Sequence, residues 1–300
     1  MLRAANVIYF EILRDIILRI PILALLYQEY MQFQLETITI KGSYFSINLN
    51  RLVLFRLVAP QDFLKSSSAF SVLLMNDGQD FEAMKLEHSL SSAFSSKTMK
   101  RFIYVGISCN ENRIQEYGTA STADFKGRGG QALKYSKFIT EEFIPFLKQE
   151  FKASKDFNEW VYCGMSLGGL SAFDIVYNQS SLFGKVGVFS GSFWWRKKAY
   201  VKNDLKDRSR IALDVVKNGK YADHLKFWFQ CGSLDETADR NHNGIIDAIE
   251  DTLDVIKELK TKGYSYPGDI TYVQVEGGKH DLPTWGKVFP QFITWAMTKI

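Results

Sequence analysis

A chain of 300 residues with 46% hydrophobic and 23% charged side chains is too apolar for a disordered polypeptide and large enough for an enzyme-sized core. The formal charge of +4 is small for that length, so no nucleic-acid partner is expected. Cys109, Cys163 and Cys231 each lie at or near the end of a predicted strand and are odd in number, so they are expected as reduced core residues in a cytoplasmic protein.

The first thirty residues read as an extension separate from a working domain over 31–300. Val7 to Tyr27 is rich in Ile and Leu, but Glu11, Arg14, Asp15 and Arg19 interrupt it and Pro21 breaks it. No stretch there offers an uncharged span for a bilayer, or an h-region followed by a cleavage site. An amphipathic helix, or sequence upstream of a start at Met31, is expected, without stable membrane insertion.

From Leu35 onward the elements alternate. Leu35 to Lys41 and Arg51 to Val58 carry the apolar–polar alternation of a half-exposed antiparallel pair. Phe70 to Met75, Phe102 to Ile107, Glu159 to Cys163, Lys185 to Phe189, Phe227 to Cys231 and Ile270 to Val275 are mostly apolar runs of the kind buried on both faces. Helical patterns separate most of them, the clearest being Phe138 to Phe151, Leu170 to Tyr177, Ala248 to Lys260 and Pro283 to Met297. The expected architecture is α/β: a mostly parallel central sheet with helices on both faces.

The centre of this arrangement is EWVYCGMSLGGLS, from Glu159 to Ser171. It reads as strand, sharp turn and helix, with Ser166 at the turn and Gly164 and Gly168 two residues to either side. Such a turn lifts a serine hydroxyl to the strand's carboxyl end and needs glycines where Cβ atoms would collide. The Leu167 amide opens the helix and can donate to an oxyanion. The bland alternative is an ordinary Gly/Ser turn in a parallel sheet.

A serine nucleophile needs a base and a carboxylate. Of four histidines, His88 sits on a helical stretch, His224 before a strand and His242 in a polar loop. His280 follows Gly277 and Gly278 after the last strand and precedes the final helix, which makes it the expected base. The sequence GSLDETADR after Phe227 to Cys231 offers Asp235 as the acid, with Glu236 as runner-up. The turn Asn76-Asp77-Gly78 brings the Gln79 amide forward as a second oxyanion donor, unless it is a plain Asp-Gly turn.

Taken together, LLMNDGQDF, NRIQEYGTA, FITEEFIPFL, CGMSLGGLSAF, FSGSFWW and GGKHDLPTW resemble the putative-esterase family of α/β-hydrolases, from about Leu35 to the C-terminus. That family includes enterochelin, feruloyl and acetyl-xylan esterases, esterase D and the mycolyltransferase antigens. Carried over by position, the resemblance implies an α/β-hydrolase fold with Ser166 as nucleophile, Asp235 as acid, His280 as base, and Gln79 and Leu167 as oxyanion donors.

Two further stretches bear on function. Asp239 to Glu250, DRNHNGIIDAIE, fits the calcium-loop pattern D-x-[DN]-x-[DN]-G-x5-E, with Asp239, Asn241, Asn243, the Ile245 carbonyl, Asp247 and Glu250 as candidate ligands. Lacking an entering helix, the loop would be a single structural Ca2+ site of modest affinity; the alternative is a polar loop capping the next helix. Ser190 to Leu225 is the expected substrate wall or lid, with Phe193, Trp194 and Trp195 as aromatic contacts, though at least one could be core, and the basic run Arg196 to Lys198 beside them either favours an anionic substrate or is a solvated face. Arg113, Glu116 and Tyr117 are expected to support the cleft.

The expected activity is serine ester hydrolysis of a small-molecule ester, carbohydrate-linked, aryl or siderophore, with no cofactor for catalysis. The alternatives are an acyltransferase or thioesterase on the same scaffold, or a catalytically silent binding module.

Overall fold

The two strands with alternating sequence form the antiparallel end of the sheet. In the computed structural model, which describes residues 37–201 and 209–299, β1 (Thr37–Ser46) and β2 (Arg51–Pro60) pair without a break from Thr37↔Pro60 to Ser46↔Arg51. The expectations for residues 1–30 lie outside the described residues. β1 continues five residues past the expected end at Lys41, because each residue from Gly42 to Ser46 meets a partner in β2. Cross-strand pairing here outweighs the low strand preference of Gly and Ser.

β2 lies antiparallel to β4 (Phe102–Ile107), and β3 (Ser71–Asn76), β5 (Trp160–Met165), β6 (Lys185–Phe189), β7 (Lys226–Leu234) and β8 (Ile270–Lys279) complete a sheet in the order β1-β2-β4-β3-β5-β6-β7-β8. Every pairing from β4 to β8 is parallel. Every residue of β3, β4 and β5 is buried, as their unbroken apolar sequences require.

Helices cover both faces. α1 (Leu86–Ser95) and α8 (Leu282–Met297) pack Leu86, Leu90, Phe289 and Phe292 against Met75, Cys163 and Trp228. The other face holds α3 (Ala132–Lys137), α4 (Ile144–Glu150), α5 (Ser166–Asn178), α6 (Ile211–Asn218) and α7 (Asp247–Lys262), with Phe138, Phe173, Val176, Phe227 and Leu259 in one core. A single turn, α2 (Arg113–Glu116), precedes them. The expected helix Phe138 to Phe151 is a π turn, Phe138–Phe143, continuing into α4, and helical structure begins earlier, at Ala132. All three cysteines are free, and among the described residues no helix is long and apolar enough to cross a membrane.

One carboxylate within this fold is costly. Asp174 on α5 is 2% exposed and accepts hydrogen bonds from the Ala120 amide (2.8 Å) and Asn178 Nδ2 (3.1 Å). Burial pushes its carboxyl from 3.8 to about 7, despite the lowering effect of those donors. The unfolded chain loses this proton near pH 4 and the folded chain near pH 7, so stability falls as pH rises between the two. Denaturant unfolding should show Asp174→Asn losing this decline, which amounts to ~4 kcal/mol at most.

Candidate active site

β5 ends at Met165 and α5 begins at Ser166, so one residue must turn the chain. Ser166 does so with φ 53°, a left-handed conformation that non-glycine residues adopt only under constraint. The constraint is visible at its glycines. A Cβ on Gly164 would stand 2.4 Å from the Gly168 carbonyl oxygen, and one on Gly168 would stand 2.5 Å from Asp77 Oδ2. Ser166 is half-buried between buried neighbours, its Oγ 3.3 Å from Ser192 Oγ, while the Ser192 amide donates to the Ser166 carbonyl at 3.1 Å. The Leu167 amide lies in the first turn of α5, where no earlier turn supplies an acceptor.

The turn after β3 is locked to this helix. Asn76, fully buried, donates from Nδ2 to the Gly168 carbonyl (2.8 Å), and its Oδ1 accepts from the hydroxyls of Tyr135 (2.7 Å) and Tyr162 (2.6 Å). Asp77 has φ 59°; Arg113 Nε and Nη2 grip its carboxylate at 2.7 and 2.8 Å, and its amide donates to Tyr117 Oη at 3.3 Å. Glu116 is buried and paired with Arg51 at 2.6 Å. The cleft-supporting role expected of Arg113, Glu116 and Tyr117 thus acquires specific partners. Gln79 sits in the short 3-10 turn Gly78–Asp80. The Asn76 bond and the Asp77–Gly168 contact pack that turn against the one carrying Leu167.

Asp235 and His280 come together through strand pairing. β7 and β8 run beyond the expected ends at Cys231 and Val275 and stay paired to Leu234↔Lys279, with a bulge between Gly232 and Leu234. The next residues are Asp235 and His280. Asp235 is 9% exposed, and among the described residues neither of its buried carboxylate oxygens has a hydrogen-bond partner. Burial raises its pKa, opposed by the nearby Ser190 hydroxyl, the Gly232 amide and His280. His280 opens to solvent on one side, yet the protein around its ring holds its pKa below the ordinary imidazole value, against the opposite pull of Asp235 and Asp281. Its ring stands edge-on to Trp285, centroids 5.0 Å apart, and Trp285 Nε1 donates to Ser190 Oγ at 2.9 Å. In this conformation His280 makes no hydrogen bond to Asp235 or Ser166. Glu236 is exposed and feels the Ala248 backbone, Asp247 and Asp251 at the start of α7, not His280. Of the other histidines, His224 Nε2 lies 2.9 Å from the Ser180 carbonyl, while His88 and His242 are exposed.

The aromatic wall requires correction. Phe193 (1% exposed) and Trp195 (0%) belong to the core, Phe193 edge-on to Phe173 at 5.4 Å, so neither is placed to meet a substrate. Only Trp194, 37% exposed, remains available. The Arg128 guanidinium lies 5.1 Å from its ring centroid and 4.9 Å from that of Trp195. The basic run is also divided: Arg196 is largely buried, and Lys197 pairs with Asp214 at 2.8 Å.

In the loop Asp239 to Glu250, Asp239 accepts from the amides of Asn243 (3.2 Å) and Gly244 (2.9 Å), and the Ile245 amide donates to Asn243 Oδ1 at 2.8 Å. Asn241 and Asn243 donate through Nδ2 to the same Glu250 oxygen at 2.7 and 2.9 Å. Asp247 is engaged by Arg240, through its backbone amide at 2.9 Å and its guanidinium at 3.5 Å. Among the described residues no three or more His, Cys, Asp or Glu side chains gather as a metal site.

A mostly parallel eight-stranded sheet covered on both faces, with a left-handed serine where a central strand meets its helix, defines the α/β-hydrolase class. The family described as "Putative esterase" matches residues 46–295, and the chain belongs to it: the protein is a carboxylic ester hydrolase. A Bacillus subtilis (strain 168) protein described as "Uncharacterized protein YbbA" is 26% identical over 250 residues, covering 82% of this chain and 92% of that protein. Among solved structures, a ferulic acid esterase superposes with a TM-score of 0.66 at 15% identity, over 87% of this chain and 98% of that one. The enterobactin esterase FES from Shigella flexneri gives 0.67 at 18%, over 86% of this chain but only 58% of that longer chain. The BES protein from Bacillus cereus gives 0.64 at 18%, over 87% and 96%.

Sequence reasoning passed over Asn76, Ser190, Ser192 and Trp285 as site residues, although each lies in a stretch quoted for the family resemblance. Asn76→Ala would orphan two buried hydroxyls and a carbonyl. Chemical denaturation should show a loss of about 3 kcal/mol, with ester hydrolysis falling at least tenfold in the fraction that stays folded.

Proposed function

We propose that the protein cleaves small-molecule esters through an acyl-enzyme on Ser166. The observation that carries this reading is the left-handed backbone of Ser166 at the start of α5. His280, neutral because its pKa is lowered, accepts the Ser166 proton as Oγ attacks the carbonyl carbon. Ser166 Oγ turns from Ser192 toward the imidazole to do so. The amides of Gln79 and Leu167 receive the oxyanion, and His280 then protonates the departing alkoxide. Water repeats the sequence and releases the acid. A hydrogen bond from His280 Nδ1–H would satisfy the unpartnered carboxylate of Asp235 and hold the tautomer with Nε2 free. Trp194, the exposed member of the aromatic run that follows Ser192, suits an aryl or sugar ring, in keeping with carbohydrate-linked, aryl or siderophore esters.

Hydrolysis of 4-nitrophenyl butyrate tests the assignment. Ser166→Ala should lose at least about 10⁴-fold in kcat and all fluorophosphonate labelling. Protonated His280 cannot accept a proton, so kcat/KM should rise with pH through a value below the ordinary imidazole pKa and level off by neutrality. Asp235→Asn removes the negative charge that raises this pKa, so the limb should move to still lower pH while kcat drops about 10³- to 10⁴-fold. Glu236→Gln should stay within about twofold of the parent; a full-rate Asp235→Asn enzyme would sink the assignment of the acid.

We also propose that the loop Asp239 to Glu250 holds a structural calcium ion, with Asp239, Asn241, Asn243 and the Ile245 carbonyl as direct ligands and Asp247 and Glu250 as ligands once they are released from Arg240. The ion would steady the segment following Asp235 and take no part in the chemistry. Calorimetry should give saturable heat with Kd of about 10⁻⁴ to 10⁻³ M, abolished in Glu250→Gln. No saturable heat at millimolar calcium removes the ion from the account.

A further inference from the structure

The carboxylate of Asp77 lies in an unfavourable place for acyl transfer. Its side chain is 3% exposed and rests against the first turn of α5, where a Cβ on Gly168 would come within 2.5 Å of Oδ2. Leu167, one of the two proposed oxyanion donors, precedes that glycine; Gln79, the other, follows Asp77 by two residues. A buried negative charge is thus held beside the place where a second one would develop. It also stands at the N-terminal end of α5, whose dipole an oxyanion would draw on. Away from water, repulsion between two such charges is strong.

Arg113 supplies the counter-charge. It opens α2 after β4, the strand paired with β3, and its Nε and Nη2 take the two oxygens of Asp77 at 2.7 and 2.8 Å. Tyr117 steadies both partners: its ring centroid lies 5.0 Å from the Arg113 guanidinium carbon, and its hydroxyl accepts from the Asp77 amide at 3.3 Å. Asp80 and the Cys109 thiol are the other titratable groups that feel this pair. The charge of Arg113 is also felt in the other half of the site. Burial does most to hold the His280 pKa down and Arg113 adds to it, while Asp235 at the end of β7 and the adjacent Asp281 pull the other way.

We infer that Arg113 is a positioning residue that cancels the charge of Asp77, so that the oxyanion forms beside a neutral pair and not beside a bare carboxylate. The inference rests on the hydrolysis proposed at Ser166 for the place of the oxyanion; the charge balance felt by His280 does not depend on it. Neither Arg113 nor Asp77 exchanges a proton or a bond with the substrate.

Opposite signs test the charge. With 4-nitrophenyl butyrate, Arg113→Gln leaves Asp77 uncompensated, so kcat should fall about tenfold with KM little changed. A bare carboxylate also favours imidazolium, so the acid limb of kcat/KM should move to higher pH. Asp77→Asn leaves Arg113 uncompensated, and the limb should move to lower pH. Asp77→Asn/Arg113→Gln, neutral at both positions, should bring the limb between those of the single variants and turn over faster than Arg113→Gln. Arg113→Lys keeps the charge without the fork and should leave the limb in place. A role confined to holding the turn would slow these variants without opposed movements of the limb. Limbs that move together or not at all, or a double variant no faster than Arg113→Gln, overturn the inference. Where Arg113→Gln does not fold, the direction of the limb in Asp77→Asn decides. A readout without catalysis separates the charge balance from the hydrolytic reading: NMR titration of the His280 ring in Ser166→Ala, its signal assigned by its loss in Ser166→Ala/His280→Asn. The midpoint should rise when Arg113→Gln is added and fall when Asp77→Asn is added. Those opposed shifts in a protein whose wild type cleaves no ester would remove the hydrolytic reading and support the charge balance. Parallel shifts, or none, overturn it.

Discussion

The side chain of Asn76 occupies the junction of a strand, a helix and a turn, and its amide is the one group there that can serve all three. Its Nδ2 holds the carbonyl of Gly168, and its Oδ1 accepts from Tyr135 and Tyr162 in a fully buried setting. Low dielectric makes each of these bonds strong and each unmade one costly. Aspartate would have no donor for Gly168, and leucine would orphan three polar groups. The first turn of α5 and the Asn76–Asp80 turn are therefore bound as one unit, and Ser166, Leu167 and Gln79 derive their relative placement from it. Gly168 lacks a Cβ because Asp77 occupies the space a Cβ would need.

The other half of the site is built differently, from backbone rather than side-chain bonding. β7 and β8 stay paired past their apolar segments across a bulge, where Gly232, in register with Val275, also comes close to Gly278: a Cβ on Gly232 would stand 2.3 Å from the Gly278 carbonyl oxygen. That close approach delivers Asp235 and His280 side by side. Burial then acts on them in opposite senses, raising the carboxyl and lowering the imidazole, while the charge of each favours ionisation of the other. Trp285 steadies the pair by flanking the His280 ring and bonding Ser190, which lies near Asp235.

Behind Asp235, charged groups anchor the chain to α7. Asp251, 1% exposed, is held by both Arg210 and Arg240, and Arg210 also reaches Asp254. Removing one partner from a buried network of this kind leaves a charge without compensation. A net charge of +4 conceals this arrangement.

The order of strands and helices, the parallel sheet, the serine turn and the place of His280 between the last strand and the final helix were all legible in the sequence. Each depends on local pattern: apolar runs of strand length, glycines at fixed spacing, a histidine between strand and helix. Tertiary structure decided the rest. Phe193, Trp194 and Trp195 are indistinguishable by composition, yet two are buried and one is exposed, because Phe173 and Phe229 approach from other elements. Asp235 and Glu236 are neighbours, yet only Asp235 is buried, because the register of β7 on β8 sets which carboxylate faces inward. Asn76 reads as the first residue of a polar turn, and its role emerges only when Gly168, 92 residues away in sequence, folds against it. Local pattern specifies which elements form; which side chain of an element is covered, paired or left open depends on residues distant in the chain.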